Sequence, residues 1–450
     1  MKIIIVGVGK VGETLVENFT REKHDIVVIE KDRTTLENIV NLYDVRGILG
    51  NGIENTVLED AGAREADFLI ACTSRDEMNI LLCTLAKKMG AKHTIARVRD
   101  PEYYNEMETV HDQLGLDFAF NPELRTAIEI KNVLKFPSAK NVESFAGNRA
   151  LIVEFSLENG NPIIGKTIME ISKDYSNSVL FGVVERDGKA YIPKGDFVLA
   201  EKDSIHVIGS EKNIIDFAKK LKIFKPAAKS VMMIGGGRVA FYLAKELLPT
   251  GVDVKIIEID IDRCEKLSEM LTEATVICGD GTDQAVLDEE GIKSVDATVT
   301  ITGLDESNIM VSLYAKQKNV DKVITKINRM SLTNMVKTLG LDTVFSPRKA
   351  IANHIIGFVR AHKTDATKGV NTFYKLCGNA EALEFVVDGS NKKLGIPLKK
   401  LKIKNNALIG GIVRGKDFVL PTGDTVMKEG DKVIIITTIE GVTELSQVFK

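Results

Sequence analysis

This chain has little of what would mark a secreted, metal-binding or membrane-spanning protein. Its five cysteines, Cys72, Cys83, Cys264, Cys278 and Cys377, are scattered, with no C-x-x-C pair. That pattern excludes a disulfide framework and fits reduced, mostly buried thiols. The six histidines are equally dispersed, none near a cysteine or carboxylate at metal-ligand spacing, so no metal site is expected. No apolar run approaches the roughly 18 residues that a bilayer span needs, and direct membrane insertion is excluded. The opening MKIIIVGVG runs straight into a strand and lacks the longer apolar core and cleavage site of a signal peptide. A net charge of −3 gives no electrostatic footprint for nucleic acid. What remains is globular material, expected in the cytosol, and its 450 residues are too many for one core.

What is present is a repeat. Residues 3–12, IIIVGVGKVG, and residues 231–240, VMMIGGGRVA, are each an apolar run ending in a Gly-x-Gly-x-x-Gly/Ala turn. At one offset of 228, Gly7 aligns with Gly235, Gly9 with Gly237, Glu30 with Glu258 and Asp32 with Asp260. One residue further in register, Gly50-Asn51-Gly52 matches Gly279-Asp280-Gly281 and Thr73 matches Thr302. Asp76-Glu77-x-Asn79 likewise matches Asp305-Glu306-x-Asn308. The matches fall on turns and strand ends, so the chain reads as one unit written twice. The halves meet at LKIFKPAAKS (221–230), a short linker.

Short β-rich runs alternate with helical patterns in each half. KIIIVG (2–7), DIVVIE (25–30), VRGILG (45–50), FLIACT (68–73), TIARVR (94–99) and DFAF (117–120) predict six strands. VMMIG (231–235), VKIIEI (254–259), TVICG (275–279), ATVTIT (297–302), KVITKI (322–327) and TVFS (343–346) repeat them. Strands apolar on both faces and separated by helices predict a parallel sheet covered on both sides. Ser74-x-x-Glu77 predicts a capping box that starts the helix over 76–89. Proline-opened helices follow at 122–136 and 347–362. Residues 149–209 and 373–438 then turn to short strands, with Asp187-Gly188 and Arg414-Gly415 as hairpin turns. These stretches match through Pro193-x-Gly195-Asp196 and Pro421-x-Gly423-Asp424, and through Asp203 and Asp431. The fold class expected is α/β, with tandem Rossmann-like parallel-sheet lobes each followed by a small α+β lobe. The expected boundaries are 1–121, a crossover helix at 122–145, 146–225, 228–346, a second crossover at 347–368, and 369–450.

A Gly-rich turn between strand and helix sets backbone N–H groups and the positive helix end against a ligand's phosphates. Gly7 allows the tight turn, Gly9 lets a pyrophosphate approach, and Gly12 lets helix and strand pack; Ala240 takes the last place in the second copy. Alone the motif is weak, but an acidic residue ends the next strand in both copies. Glu30 and Glu258 can accept from both ribose hydroxyls of an adenosine, and their charge disfavours a 2′-phosphate, which favours NAD(H) or adenine nucleotide. Lys10 and Arg238 follow the second glycine, either reaching a terminal phosphate or lying solvated on the first turn. Thr73 and Thr302 end the fourth strand at the crevice, as ligand contacts or as helix-start caps. Arg97 and Lys326 end the fifth, facing phosphates or making structural ion pairs. Asn51 and Asp280 are ligand contacts or turn residues.

Catalytic equipment is missing beside these loops. A dehydrogenase needs an acid or base aimed at the substrate and a domain to clamp it. The small lobes offer one histidine, His206, inside an apolar strand, which reads as a core residue. The chain is therefore read as binding nucleotide without reacting it, with a duplicated NAD-dependent oxidoreductase and a purely structural assembly factor as the alternatives. KKLGIPLKKLKIK (392–404) carries six lysines, a solvated face or a contact for an acidic partner, anionic ligand or lipid surface.

Several runs carry a family resemblance across essentially the whole chain. In the first half they are IIIVGVGKVG…VVIEKD, GNGIENTVLEDAGA…ACTSRDEMN and IARVRDPEY; in the second, MIGGGRVA…IIEID, GDGTDQAVLDEEGI and PTGDTVMKEGDKV. On these the chain resembles the TrkA family, regulatory subunits of bacterial and archaeal Trk potassium-uptake systems built from tandem RCK units. The resemblance implies a Rossmann lobe (RCK-N) and a small lobe (RCK-C) in each unit, and helices at 122–136 and 347–362 of the kind that swap across RCK dimers. It implies a homotetrameric ring, peripheral to the inner face of the cell membrane. Above it would stand a separate potassium-translocating subunit of the TrkH/TrkG type, gated through NAD(H) and ATP/ADP. Carried over residue by residue, one site takes Gly7, Val8, Gly9, Lys10, Val11, Glu30, Thr73, Ser74 and Arg97. The other takes Gly235, Gly236, Gly237, Arg238, Val239, Glu258, Thr302, Gly303 and Lys326. The first copy has Asn51-Gly52-Ile53 where the family pattern is Asp-Gly-Thr, as in the second copy, so the two sites are not expected to be equal.

Overall fold

The computed structural model describes residues 1–175, 178–341, 343–363, 369–391 and 393–450. Residues 364–368 of the expected second crossover, and Lys392 of the lysine stretch, lie outside the described residues.

Strands β1 (Lys2–Val6), β2 (Asp25–Glu30), β3 (Arg46–Leu49), β4 (Phe68–Ala71), β5 (His93–Arg97) and β6 (Phe118–Phe120) form a parallel sheet. Its order, β3-β2-β1-β4-β5-β6, is that of a dinucleotide fold. Helices α1 (Lys10–Arg21), α2 (Arg33–Tyr43), α3 (Asn55–Asp60), α4 (Asp76–Met89), α5 (Pro101–Leu114) and α6 (Pro122–Lys135) complete the lobe. Ile3, Ile4 and Ile5 are all fully buried because helices cover both faces of β1.

A smaller antiparallel sheet follows, from β7 (Asn141–Phe145), β8 (Ala150–Ser156), β9 (Leu180–Arg186), β10 (Lys189–Tyr191) and β11 (Ser204–Gly209). It carries α7 (Ile168–Asp174) and α8 (Glu211–Lys220).

The second half repeats the plan. Strands β12 (Ser230–Ile234), β13 (Asp253–Glu258), β14 (Thr275–Cys278), β15 (Ala297–Thr300), β16 (Lys322–Lys326) and β17 (Val344–Phe345) take the order β14-β13-β12-β15-β16-β17. Its helices are α9 (Arg238–Leu247), α10 (Ile261–Met270), α11 (Gln284–Glu289), α12 (Asp305–Gln317), α13 (Thr333–Thr338) and α14 (Pro347–Ala361). The last sheet comprises β18 (Val370–Lys375), β19 (Glu381–Val386), β20 (Ala407–Arg414), β21 (Asp417–Val419) and β22 (Lys432–Thr437). Among the described residues this final lobe has only 3-10 turns, Leu398–Lys400 and Leu445–Val448, where the first small lobe has α-helices.

The chain divides into two compact units, Met1–Thr126 with Pro347–Val359, and Ala127–Ser346 with Arg360–Lys450. In the first unit, α14 covers the first parallel sheet, where Phe358 stacks on Phe118 at 4.6 Å and meets Phe68 edge-on at 6.4 Å. In the second unit the end of α6 packs on the later Rossmann lobe. There Lys131 pairs with Glu246 of α9 at 2.7 Å, and the Leu134 carbonyl accepts from Ala228 N at 3.1 Å. Each half thus lends its crossover helix to the other.

Also within the second unit, the two small sheets share one core. Ile436 of β22 sits over Gly182 of β9, and Ile208 of β11 sits over Gly410 of β20, too close for a Cβ at either glycine. These pairs are related by the same offset of 228. Arg186 grips Asp203 through two bonds of 2.7 Å, and Arg414 grips Asp431 at 2.8 and 2.7 Å, each from one β-hairpin to a buried carboxylate.

Candidate nucleotide site

Both Gly-rich loops lie at the carboxyl ends of the parallel strands. Gly7 takes φ +86°, and a Cβ there would stand 3.0 Å from the backbone N and Cα of Thr73. Gly235 takes φ +102° with the same closeness to Thr302. Only glycine meets both demands without strain. Gly12 lies too close to the Gly7 carbonyl for any side chain in the present geometry, while its counterpart Ala240 is accommodated, fully buried. Gly9 and Gly237 are the N-caps of α1 and α9, without a side-chain cap, and space opens beside both. The first-turn N–H groups of these two helices are therefore left for solvent or an anion.

The acidic strand ends hold the loops. Glu30 Oε2 accepts from Val8 N at 2.9 Å, while Oε1 accepts from Lys31 N at 2.9 Å and Asp32 N at 3.2 Å. Glu258 Oε2 accepts from Gly236 N at 2.6 Å, and Oε1 from Ile259 N at 3.0 Å and Asp260 N at 2.9 Å. These bonds use three of the roughly four acceptor sites of each carboxylate, and at Glu258 the Arg263 Nη1 also stands 3.4 Å from Oε2. Asp32 and Asp260 then cap the following helices through Thr35 N and Arg263 N.

The other expected residues divide by role. Lys10 and Arg238 are exposed at the helix starts, Val8 and Val239 are buried, and Val11 is half-buried. Asp280 Oδ1 accepts from Thr282 N at 2.9 Å and Thr282 Oγ1 at 2.7 Å, which holds its carboxyl below the ordinary value and makes it a turn residue. Asn51 makes the longer version of that turn, 3.5 Å from Ile53 N. Ser74 is exposed, with its carbonyl bonded to Arg99 at 2.6 Å, and Gly303 faces open space. Arg97 donates to the Thr73 carbonyl, and burial pushes its guanidinium down from the ordinary value. Lys326 reaches the Ile301 carbonyl at 3.3 Å.

The sequence reading missed the residues that shape this wall. Asn79, fully buried, accepts from Thr73 N at 2.8 Å and Thr73 Oγ1 at 2.7 Å and donates to the Arg97 carbonyl at 2.9 Å. Asn308 repeats this with Thr302 (2.8 and 2.8 Å) and the Lys326 carbonyl (3.0 Å). The hydroxyls of Thr73 and Thr302 are thereby committed as donors, and they accept in turn from Arg75 N at 3.5 Å and Leu304 N at 3.3 Å. The repeated Asp-Glu-x-Asn was the signal. The predicted capping box at Ser74 is absent: α4 starts at Asp76, as expected, but its N-cap is Arg75 without a side-chain bond. Asp76 instead accepts from Arg99 N and Asp100 N, both at 2.8 Å, tying the helix start to the end of β5. A cavity of 940 Å³ lies away from the second crevice, near the amino end of β16, bordered by Lys140, Lys222 and Lys322.

The TrkA-N domain family matches residues 3–122 and 231–347, and the TrkA-C domain family matches 152–222 and 382–450. The chain belongs to the TrkA family. It is 33% identical over 459 residues to the Trk system potassium uptake protein TrkA homolog 2 of Methanosarcina mazei, with 100% of both chains covered. The solved structure of the GsuK channel bound to NAD matches with a TM-score of 0.63 at 20% identity, over 98% of this chain and 77% of that one. A structure of GsuK bound to ADP matches with a TM-score of 0.53 at 15% identity, over 81% and 70%. At such identities these two likenesses concern the fold alone. TrkA proteins are regulatory subunits of potassium uptake and not enzymes, which removes the oxidoreductase alternative. As a Trk component, a TrkA protein has a membrane Trk transporter as its partner. No helix among the described residues is long and apolar enough to cross a membrane itself.

Proposed function

We propose that this chain is a nucleotide sensor with two ligand sites, which gates a potassium-translocating membrane subunit from the inner face of the membrane as a homotetramer. The observation that carries the reading is the twofold combination of an uncapped helix start at Gly9 and Gly237 with a carboxylate at the end of the neighbouring strand. An anion on the helix N–H groups and a ribose diol on Glu30 or Glu258 describe an adenine nucleotide, NAD(H) or ATP/ADP. Lys10 and Arg238 would close over its phosphates, with Thr73, Ser74 and Arg97, or Thr302, Gly303 and Lys326, along the far wall. A ligand shifts the assembly only by its differential affinity for two shapes, so gating requires the crevice to change when the phosphates are held.

Because the halves exchange crossover helices, the test belongs on the full chain. Calorimetry with NADH and with ATP should find two sites per chain. Glu30→Gln and Glu258→Gln should each weaken one of them at least about tenfold, from lost charge-assisted bonds, and leave the other intact. Unchanged binding in both variants would remove the site assignment. Intact binding without any effect on potassium flux through the co-expressed transporter would remove the gating role.

A further inference from the structure

His206 lies on β11 inside the core shared by the two small lobes, only 2% exposed. Glu154 is its cross-strand partner on β8, and Glu185 stands on β9, the neighbour on the other side. The turn after β18 brings Cys377 to the same corner from the other lobe. The ligand atoms of Glu185, His206 and Cys377 all lie within 4.8 Å of one another. They are far apart in the sequence, so spacing could not reveal them.

The repeat shows what this corner needs for packing alone. At the offset of 228, His206 corresponds to Ile434 and Glu185 to Val413, both buried members of the shared apolar core. Isoleucine and valine close the lobes on one side; a histidine and a glutamate on the other carry a desolvation cost that packing does not require.

We propose that Glu185, His206 and Cys377 form a Zn²⁺ site that staples the two small lobes together. Thiolate, imidazole and carboxylate are donor types of zinc, and three protein ligands leave the fourth position to water. Around a tetrahedral zinc the donor atoms stand about 3.5 Å apart. Rotation of the half-buried Glu185 and Cys377 side chains closes the remaining ångström. Metal binding releases the Cys377 thiol proton to solvent. Glu154, fixed by Ser204 Oγ at 2.7 Å, places a further carboxylate on the strand facing His206, where it can orient the imidazole. The staple would couple the small lobes independently of the nucleotide crevices.

The test uses the metal-stripped full chain, titrated with Zn²⁺ and with Co²⁺ as an optical probe. Expected are one ion per chain, a thiolate-to-cobalt charge-transfer band, tetrahedral d–d absorption, and displacement by Zn²⁺. Cys377→Ser should lose the charge-transfer band and, like His206→Gln, bind Zn²⁺ at least about 100-fold more weakly. Cys377→Ser is nearly isosteric at a half-buried position, so its metal-free melting should match that of the metal-free parent. Zn²⁺ should raise the melting temperature of the parent and leave that of the variant unmoved. Absence of ion binding by the parent, Co²⁺ binding without a thiolate band, or equal Zn²⁺ affinity in Cys377→Ser would each overturn the proposal.

Discussion

In the first crevice Val8 donates its N–H to Glu30 at 2.9 Å; in the second the same bond runs from Gly236 to Glu258 at 2.6 Å. Val8 turns its side chain into the core, whereas a Cβ on Gly236 would stand 3.0 Å from Glu258 Cβ and 2.6 Å from Leu267 Cδ1. The second carboxylate is drawn in more tightly, to 5% exposure, and Arg263 lies 3.4 Å from it, where the first copy has Thr35. Asn79 and Asn308, by contrast, make the same bonds in both copies within about 0.1 Å. Gly7 and Gly235, held against the Thr73 and Thr302 backbone, and the buried amides of Asn79 and Asn308 are the same in both copies. Val8 against Gly236, Lys10 against Arg238 and Thr35 against Arg263 have drifted around them.

Straining the shared frame should have the greatest consequence. Gly7→Ala and Gly235→Ala each force a side chain into positive φ, with Thr73 or Thr302 backbone 3.0 Å away. Each should cost about 3 kcal/mol, combining backbone strain with overpacking, and should abolish nucleotide binding in its own lobe. Urea denaturation and calorimetry read the two effects. A cost below about 1 kcal/mol in one copy would mean that its loop relaxes, and that the frames are not equivalent.

Much of this frame is local and was legible. The glycines, the acidic strand ends and the pair Asp32 and Asp260 recur at one offset in both halves, so spacing announces them. The twelve predicted strands of the two parallel sheets are present for the same reason: apolar runs flanked by turn chemistry fit few other states. The failures involve partners distant in sequence. Ser74 and Glu77 match a capping box, yet the start of α4 answers to Asp76 and the backbone after β5. The proline-opened helices announce an apolar face without saying which sheet it covers, so α14 on Phe118 and α6 on the later lobe could not be read locally. His206 reads as a core residue until Cys377, from the other lobe, is seen beside it.

A smaller effect is read through pH in the second frame. Asp305, 4% exposed, accepts from Asn328 N, Asn328 Nδ2 and Arg329 N, all at 2.9 Å. Burial alone would push its carboxyl up, but these donors outweigh burial and hold it below the ordinary 3.8. A carboxylate lowered in the fold contributes stability above its unfolded value and loses it as pH falls through the folded one. Asp305→Ala should therefore cost about 2 kcal/mol at neutral pH and flatten the acid limb of melting temperature against pH below about 4. An acid limb as steep as that of the parent would show that other carboxylates set it.

The smallest effect concerns Arg263, whose side chain is half exposed and whose contact with Glu258 is long, 3.4 Å. Its contribution to stability should stay within about 0.5 kcal/mol. Its contribution to selectivity should be larger, because in the proposed site it would neutralise part of the Glu258 charge that disfavours a 2′-phosphate. Arg263→Ala should weaken NADPH binding at the second site about threefold relative to NADH, a change worth roughly 0.6 kcal/mol, and leave the first site alone. Thr35→Arg should make the reciprocal change at the first site. Both effects should fade as salt is raised, since both charges lie near solvent. If the NADPH to NADH ratio at either site ignores these substitutions, the carboxylate alone governs the ribose end, and any difference in ligand choice must come from Lys10 against Arg238 at the phosphates.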